Sequence, residues 1–208
     1  MLVKPMAPGK RRIRGFSIVE LMVAILVGAI LVAIAVPSFR TTLQKHRLRV
    51  SADSLQAAVQ YARTEAILRA TYVSLCASAD GATCSAAATY ETGWLVYVHP
   101  VATTKAMDVY TATASAGMQI LRTVPALNGV SARAVDGTVV TFGQQGQLEP
   151  VASRTNVSQP MAFVLCAFGA GAGSVGVNTT RIPGSRIGVS PYGGIAFTKL
   201  SSKDACTP

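Results

Sequence analysis

One uninterrupted apolar run constrains this chain more than anything else in it. From Phe16 to Val36 there are 21 residues with a single charge, Glu20. Wound as a helix at 1.5 Å per residue, that run is roughly 31 Å long, about the thickness of one bilayer hydrocarbon core. It is longer than the apolar region of an ordinary secretory signal peptide, and no clean A-x-A site follows it. Lys4, Lys10, Arg11, Arg12 and Arg14 precede it and no acid does, so the positive-inside rule keeps that end in the cytoplasm. The segment after it then faces outward. The exception inside the run needs a reason: an ionised carboxylate at mid-membrane costs about 2.5–3.5 kcal/mol on insertion scales.

The position of the basic residues also tempers the overall charge. The 208-residue chain carries 19 Lys+Arg against 9 Asp+Glu, a formal +10 that invites a nucleic-acid reading. Without the five residues before Gly15 the balance is 14 against 9, or +5, so the basic character is partly a targeting signal. Half the residues are hydrophobic, and the length allows one ordinary domain plus appendages.

Beyond Pro37 the pattern changes. Leu48, Ala52, Leu55, Val59, Ala62 and Ala66 recur at spacings of 4, 3, 4, 3 and 4, which is one stripe on a helix. Arg40, Lys45, Arg47, Arg49, Arg63 and Arg69 lie off the stripe. These features predict one helix running from the membrane to about Ala70, bent or loosened at Pro37, where a backbone donor is missing. The short segments "TYVSLCAS", "GWLVYVH", "MQILRTV", "TVVTF", "MAFVLCAF" and "GIAFTK" predict strands. The Ala/Thr/Ser runs at 85–89 and 111–117 predict loops. No internal repeat and no alternation with further helices is present. The economical architecture is α+β: a long N-terminal helix laid across a β-rich C-terminal domain.

The four cysteines, Cys76, Cys84, Cys166 and Cys206, lie on the outward-facing side, and an even number there favours disulfides. Cys76 and Cys84 flank a short Asp/Gly/Ala stretch, which favours a local bridge and leaves Cys166 with Cys206. Four buried free thiols are the other reading. No C-x-x-C or Cys/His spacing suits a metal, and no cofactor is expected.

Other motifs give little chemistry. "GAGSVG", residues 171–176, matches G-x-G-x-x-G after an apolar strand, but "VNTTRIPGS" follows with no helical period, and the nearest downstream acid is Asp204. A flexible glycine loop is the better reading. His46 lies in "KHRLR" and is expected on a solvated helix face; His99 precedes Pro100 and is expected at the surface. Neither has a local acid or nucleophile, and the chain is read as a non-enzyme. The basic segment Arg40–Arg49 is expected to solvate a helix near anionic headgroups or to pair with acids on neighbours.

A basic leader ending in Gly15, then Phe16, then a glutamate five residues after the glycine, then an apolar helix, resembles the class III signal of type IV prepilins and type II secretion prepseudopilins. The resemblance implies that an inner-membrane prepilin peptidase cuts after Gly15 and methylates the new N-terminus at Phe16. It also gives Glu20 a role in assembly, neutralising the amino group of Phe16 on an adjacent subunit. "LQAAVQYARTEAILRATYVSLCAS", "GWLVYV" and "ILRTV" are similar to the GspH/FimT family of minor pilins and the type II secretion minor pseudopilin H, strongly over 14–99 and diffusely afterwards.

The resemblance implies the pilin fold, divided into a cleaved leader (1–15), a transmembrane half-helix (16–38), an amphipathic half-helix (39–70) and a globular domain (71–208). It implies a single-pass inner-membrane protein with its globular domain in the periplasm, later placed at a filament tip. There it would prime or cap a type IV pilus in company with major and minor pilins or pseudopilins. Type II secretion is the alternative. A third function, DNA binding for natural transformation, uses a Gly-Arg-x-Arg motif in some FimT-like pilins. Here the comparable place reads "SPYGGIAF", and only Arg181, Arg186, Lys199 and Lys203 flank it as substitutes for phosphate contact.

Overall fold

A computed structural model of the chain describes residues 15–101, 109–111, 117–135, 138–151, 155–169 and 173–207. The leader before Gly15 and parts of the 111–117 and 171–176 loops lie outside the described residues. The chain divides into two compact units, Met1–Arg40 and Thr41–Pro208.

The helix α1 spans Ile18–Arg69 and is helical on both sides of Pro37 without a break. Its first bond beyond the run of regular turns is Leu21 N–H to the Ser17 carbonyl, 3.1 Å. Glu20 sits in its first turn, where a carboxylate interacts favourably with the open N–H groups of a helix start. At the other end Thr71 N–H donates to the Ala66 carbonyl (3.3 Å) and Ala70 N–H to that of Ile67 (3.4 Å). That pair of bonds is a Schellman terminus, and it places Ala70 in the left-handed region at φ 48°.

In the first unit, the described part of α1 buries no side chain. In the second, every residue of the expected stripe is buried, and Ser51 and Ala58 join it. They meet two antiparallel sheets. One has the order β3-β2-β1-β5-β6, built from Gln119–Pro125, Gly93–Val98, Val73–Ala77, Val139–Phe142 and Leu148–Glu149. The other has the order β4-β7-β8-β9, from Val130–Ala134, Met161–Ala167, Ser185–Val189 and Ile195–Lys199. One core joins the three layers: Leu55, Val59 and Ala62 of α1, Leu75, Trp94 and Phe142 of the first sheet, and Phe163, Leu165 and Ile187 of the second.

All six expected strand segments are strands, but β4, β6 and β8 are additional. "VSARA" and "SRIGV" are short and each carries an arginine. Both arginines lie on alternating positions that leave the core face apolar, Val130, Ala132 and Ala134 in one case and Ile187 and Val189 in the other. The 85–89 run is irregular up to Thr89, whose bridge to Arg133 lies against β4.

The expectation for His99 is corrected. It is only 1% exposed, because the end of β2 lies against β1 and the rings of Tyr72 and Tyr97 rather than at the surface. Its ring packs at 5.1 Å from that of Tyr97 and 6.3 Å from that of Tyr72. Its Nε2 lies 2.8 Å from Ser74 Oγ, which is 2.6 Å from Thr141 Oγ1. A buried polar group needs such partners, and here they come from β1 and β5, distant in sequence. His46 is exposed on α1, as expected.

Candidate functional site

The N-terminal segment is the first candidate. Gly15, Phe16 and Ser17 precede the helix, so the Gly15–Phe16 bond lies outside regular structure with both residues exposed. A Cβ at Gly15 would meet nothing within 4 Å, so no contact among the described residues accounts for a glycine there. Phe16 is 78% exposed, and the residues from Ile18 to Phe39 present a continuous apolar surface. One helix among the described residues, α1, is long and apolar enough to cross a membrane, and its apolar window is wholly unburied. Glu20 stands on the first turn of that helix, four residues from Phe16.

The globular unit holds the cysteines. Cys76 and Cys84 are bonded, with Cα atoms 5.6 Å apart, and so are Cys166 and Cys206, at 5.9 Å. The first bridge belongs to a cluster on the outer face of the β3-containing sheet, with Leu95, Tyr97, Val139 and Val151. The second pins the C-terminal tail over β7, beside Val164 and Leu200. Asn178 reinforces it, its amide donating to the carbonyls of Ser201 (2.6 Å) and Asp204 (2.9 Å).

Two titratable groups are displaced by local structure. Asp80, inside the first disulfide loop, is held below the usual carboxylate range. The backbone N–H of Ala82 is the main cause, followed by the hydroxyl and N–H of Thr83, with Ser78 adding a hydroxyl. Tyr90 is buried, and that burial pushes its phenol above the ordinary tyrosine value, with Tyr97 adding to the effect. Its hydroxyl donates to the Thr138 carbonyl at 3.0 Å, and its ring meets Phe163 edge-on at 4.9 Å. Both arrangements are structural braces.

The four basic residues are all exposed. Arg186 lies on β8 opposite Thr198, and Lys199 ends β9 opposite Ser185. They share a groove of about 310 Å³ with Val164, Leu200 and the carboxylate-bearing Asp204. Arg181 and Lys203 are not in its lining. The structure therefore brings two of the four together, beside an acid. The remaining part of "GAGSVG" is tied down: Gly176 N–H donates to Ser131 Oγ (2.9 Å), and Arg133 to the Ser174 carbonyl (2.9 Å). Sequence reasoning missed Arg133, whose ion pair to Glu91 at 2.6 Å joins β4 to the turn at Tyr90–Thr92. Residues 42 positions apart gave no local signal for it. Among the described residues no cluster of His, Cys, Asp or Glu suits a metal ion.

The sequence pattern of the family described as "Type II transport protein GspH" matches residues 51–181, well over half of the chain. The chain belongs to the GspH family. That span takes in the amphipathic stripe from Ala52 onward and all strands from β1 to β7. A second pattern, "Prokaryotic N-terminal methylation motif", matches residues 10–36, across Gly15, Phe16 and Glu20. No curated protein matches this GspH-family chain in sequence. Solved structures of two proteins are among those similar to it. The type IV minor pilin FimU of Pseudomonas aeruginosa is 20% identical with a TM-score of 0.48, over 76% of this chain and 95% of that one. The minor pseudopilin EpsH from the Type 2 Secretion System of Vibrio cholerae is 11% identical with a TM-score of 0.39, over 76% of this chain and 99% of that one.

Proposed function

We propose that this GspH-family chain is a membrane-inserted minor pilin precursor, an assembly subunit without enzymatic activity that primes or caps a type IV pilus. One observation carries the reading: an N-terminal methylation motif over 10–36 stands on the same chain as a GspH domain over 51–181. The apolar helix anchors the precursor in the inner membrane, with its basic leader in the cytoplasm and the globular unit outside. The peptidase cuts after Gly15, where a side chain would obstruct entry of the bond. The new Phe16 ammonium pairs with Glu20 of a neighbouring subunit, which removes the cost of a lone charge among apolar helices. Pro37, lacking a donor, gives the helix a place to bend. The partners are other pilins or pseudopilins and the peptidase.

Type II secretion is the second reading, favoured by the family's own description as a transport protein. DNA contact through Arg181, Arg186, Lys199 and Lys203 is a weaker reading, since only Arg186 and Lys199 share a groove and Asp204 stands in it. Mass spectrometry of the mature protein tests the main reading: the N-terminus should be a methylated Phe16. An intact leader on assembled protein would overturn it. Recovery in sheared pili, or loss of secretion without loss of pili when the chain is deleted, separates pilus from secretion.

A further inference from the structure

Two sheets have four edges, and three of them are closed. On β3 the pairing with β2 shifts register at Val96/Tyr97, and the strand carries Arg122 and ends in Pro125. On β4 the neighbouring chain covers the edge: Ala134 N–H donates to the Ala88 carbonyl (3.1 Å), Ala132 N–H to Glu91 (3.2 Å), and Thr89 bridges Arg133. The β6 strand is two residues long, and its Leu148 N–H is taken by the Pro191 carbonyl (2.9 Å). Register shifts, charges, proline, short strands and covering segments are the usual ways to stop an edge from recruiting another chain.

The fourth edge, β9, has no register shift, proline or covering segment among the described residues; its one charge, Lys199, stands at its end. Its five residues pair with β8 in unbroken register, from Val189↔Ile195 to Ser185↔Lys199. Two bonds fix the phase: Ser190 N–H to the Gly194 carbonyl (2.7 Å) and Leu200 N–H to the Gly184 carbonyl (2.9 Å). In an antiparallel pair, bonded and non-bonded positions alternate. Residues 194, 196, 198 and 200 therefore bond inward to β8, and Ile195, Phe197 and Lys199 direct their N–H and C=O groups to the open side. On the core face of this edge Phe197 is 40% exposed. Beside it runs a groove of about 330 Å³ lined by Gln60, Arg63, Thr64 and Ile195. Open backbone groups and pockets for alternate side chains are the two requirements for strand addition; here Ile195 and Phe197 offer apolar contact, and Gln60, Arg63 and Thr64 make the groove itself polar.

We infer that β9 is a docking edge, and that its occupant is an extended segment of another filament subunit carrying alternating apolar and acidic side chains. The charge around the edge selects this occupant. Arg63 lies on the groove side, and Arg186 and Lys199 lie around the outer groove, where Asp204 is the one carboxylate in the lining. A second copy of this chain would set these cations against themselves, whereas acids on the incoming strand would pair with them. The inference rests on the reading of the chain as a filament subunit and names the kind of contact it makes there.

The test uses the full chain in cells that assemble the filament. Phe197→p-benzoylphenylalanine places a photo-crosslinker on the edge, and Thr123→p-benzoylphenylalanine on β3 serves as the comparison. The expected result is a crosslink from position 197, and none from 123, to an acid-bearing extended segment of a different subunit, located by peptide mass spectrometry. Phe197→Pro removes an outward N–H that the sheet does not use, and incorporation into filaments should fall roughly tenfold. The pair Arg186→Glu with Lys199→Glu leaves the backbone intact and should cause a loss of similar size, which keeps the test valid if the proline variant fails to form its disulfides. Wild-type incorporation of the charge-reversed chain, or a crosslink to a second copy or to a helix, would overturn the inference. Leader cleavage and methylation of Phe16 report on the filament-subunit reading separately, because β9 has no part in them.

Discussion

A single carboxylate in an apolar helix has two physical justifications here. Glu20 lies in the first turn of α1, where the open N–H groups of the helix start favour an anion by about 0.3–1 kcal/mol. The proposed pairing with a neighbour's Phe16 ammonium adds a second. The two are separable by substitution. Under the assembly role, Glu20→Ala should leave membrane insertion and leader cleavage intact but cut incorporation into sheared filaments, since a partner's ammonium would then enter an apolar bundle unpaired. Glu20→Gln should fail in the same way, because it keeps the shape and loses the charge. If the helix start is its only role, both variants will assemble normally. Asp80 shows the opposite case, a charge satisfied wholly within the chain. Its carboxyl is held below the ordinary value of 3.8, chiefly by the Ala82 N–H. A depressed folded-state pKa contributes stability that is present above the unfolded value and lost as pH falls below it. The thermal midpoint of wild type should exceed that of Asp80→Asn above that value, and the gap should close on acidification. A gap independent of pH would mean that the turn's shape, rather than its charge, is what Asp80 supplies.

At the scale of elements, the sequence was legible wherever a period was strict. The stripe from Leu48 to Ala66 repeats at helical spacing, and each of its members is buried. Strands rich in Val, Ile and Phe announced themselves by composition rather than by period, since β1, β2, β5 and β7 are buried on both faces. Strands such as "VSARA" and "SRIGV" did not, because each is short, carries an arginine and small residues, and owes its place to pairing with β7, which lies between them. The disulfide pairs followed from sequence spacing and count. The burial of His99 is not legible locally because its partner Ser74, and Thr141 that bonds Ser74 in turn, are 25 and 42 residues away and become neighbours only through strand pairing. The end of α1 was placed correctly at about Ala70, yet nothing local identified its mechanism. The helix stops in a Schellman turn with alanine, not glycine, in the left-handed conformation. A non-glycine residue there costs about 1–2 kcal/mol. Ala70→Gly should therefore stabilise the folded protein by roughly 1 kcal/mol, since 70 is outside the helix interior and glycine relieves the strain. An unchanged or lower thermal midpoint would show that the larger freedom of glycine in the unfolded chain cancels the gain.

The globular unit joins the second half of α1 and two sheets through one core, and its two disulfides secure different amounts of it. Cys76–Cys84 closes a separation of 8 residues, and Cys166–Cys206 one of 40. If the bridges act by restricting the unfolded chain, the longer loop gains more: about 3.9 kcal/mol against about 2.5 kcal/mol. The folded-state contacts point the same way. Losing the short bridge frees a loop that Asp80 still organises through its bonds to Ala82 and Thr83. Losing the long one leaves the tail held at Asn178, at Leu200 and by the pairing of β9 with β8, and it uncovers Val164 and Cys166 on the outer face of β7. The Cys166→Ser/Cys206→Ser protein should accordingly have the lower denaturation midpoint of the two double variants, by an amount near 1.4 kcal/mol. Its hydrogen exchange should rise first along β8 and β9, where the released tail no longer covers the sheet. The Cys76→Ser/Cys84→Ser protein should instead lose protection in β1 and around residue 84. Equal midpoints for the two variants, or faster exchange in β1 on breaking the distant bridge, would show that the sheets and α1 unfold as one unit to which both disulfides contribute alike.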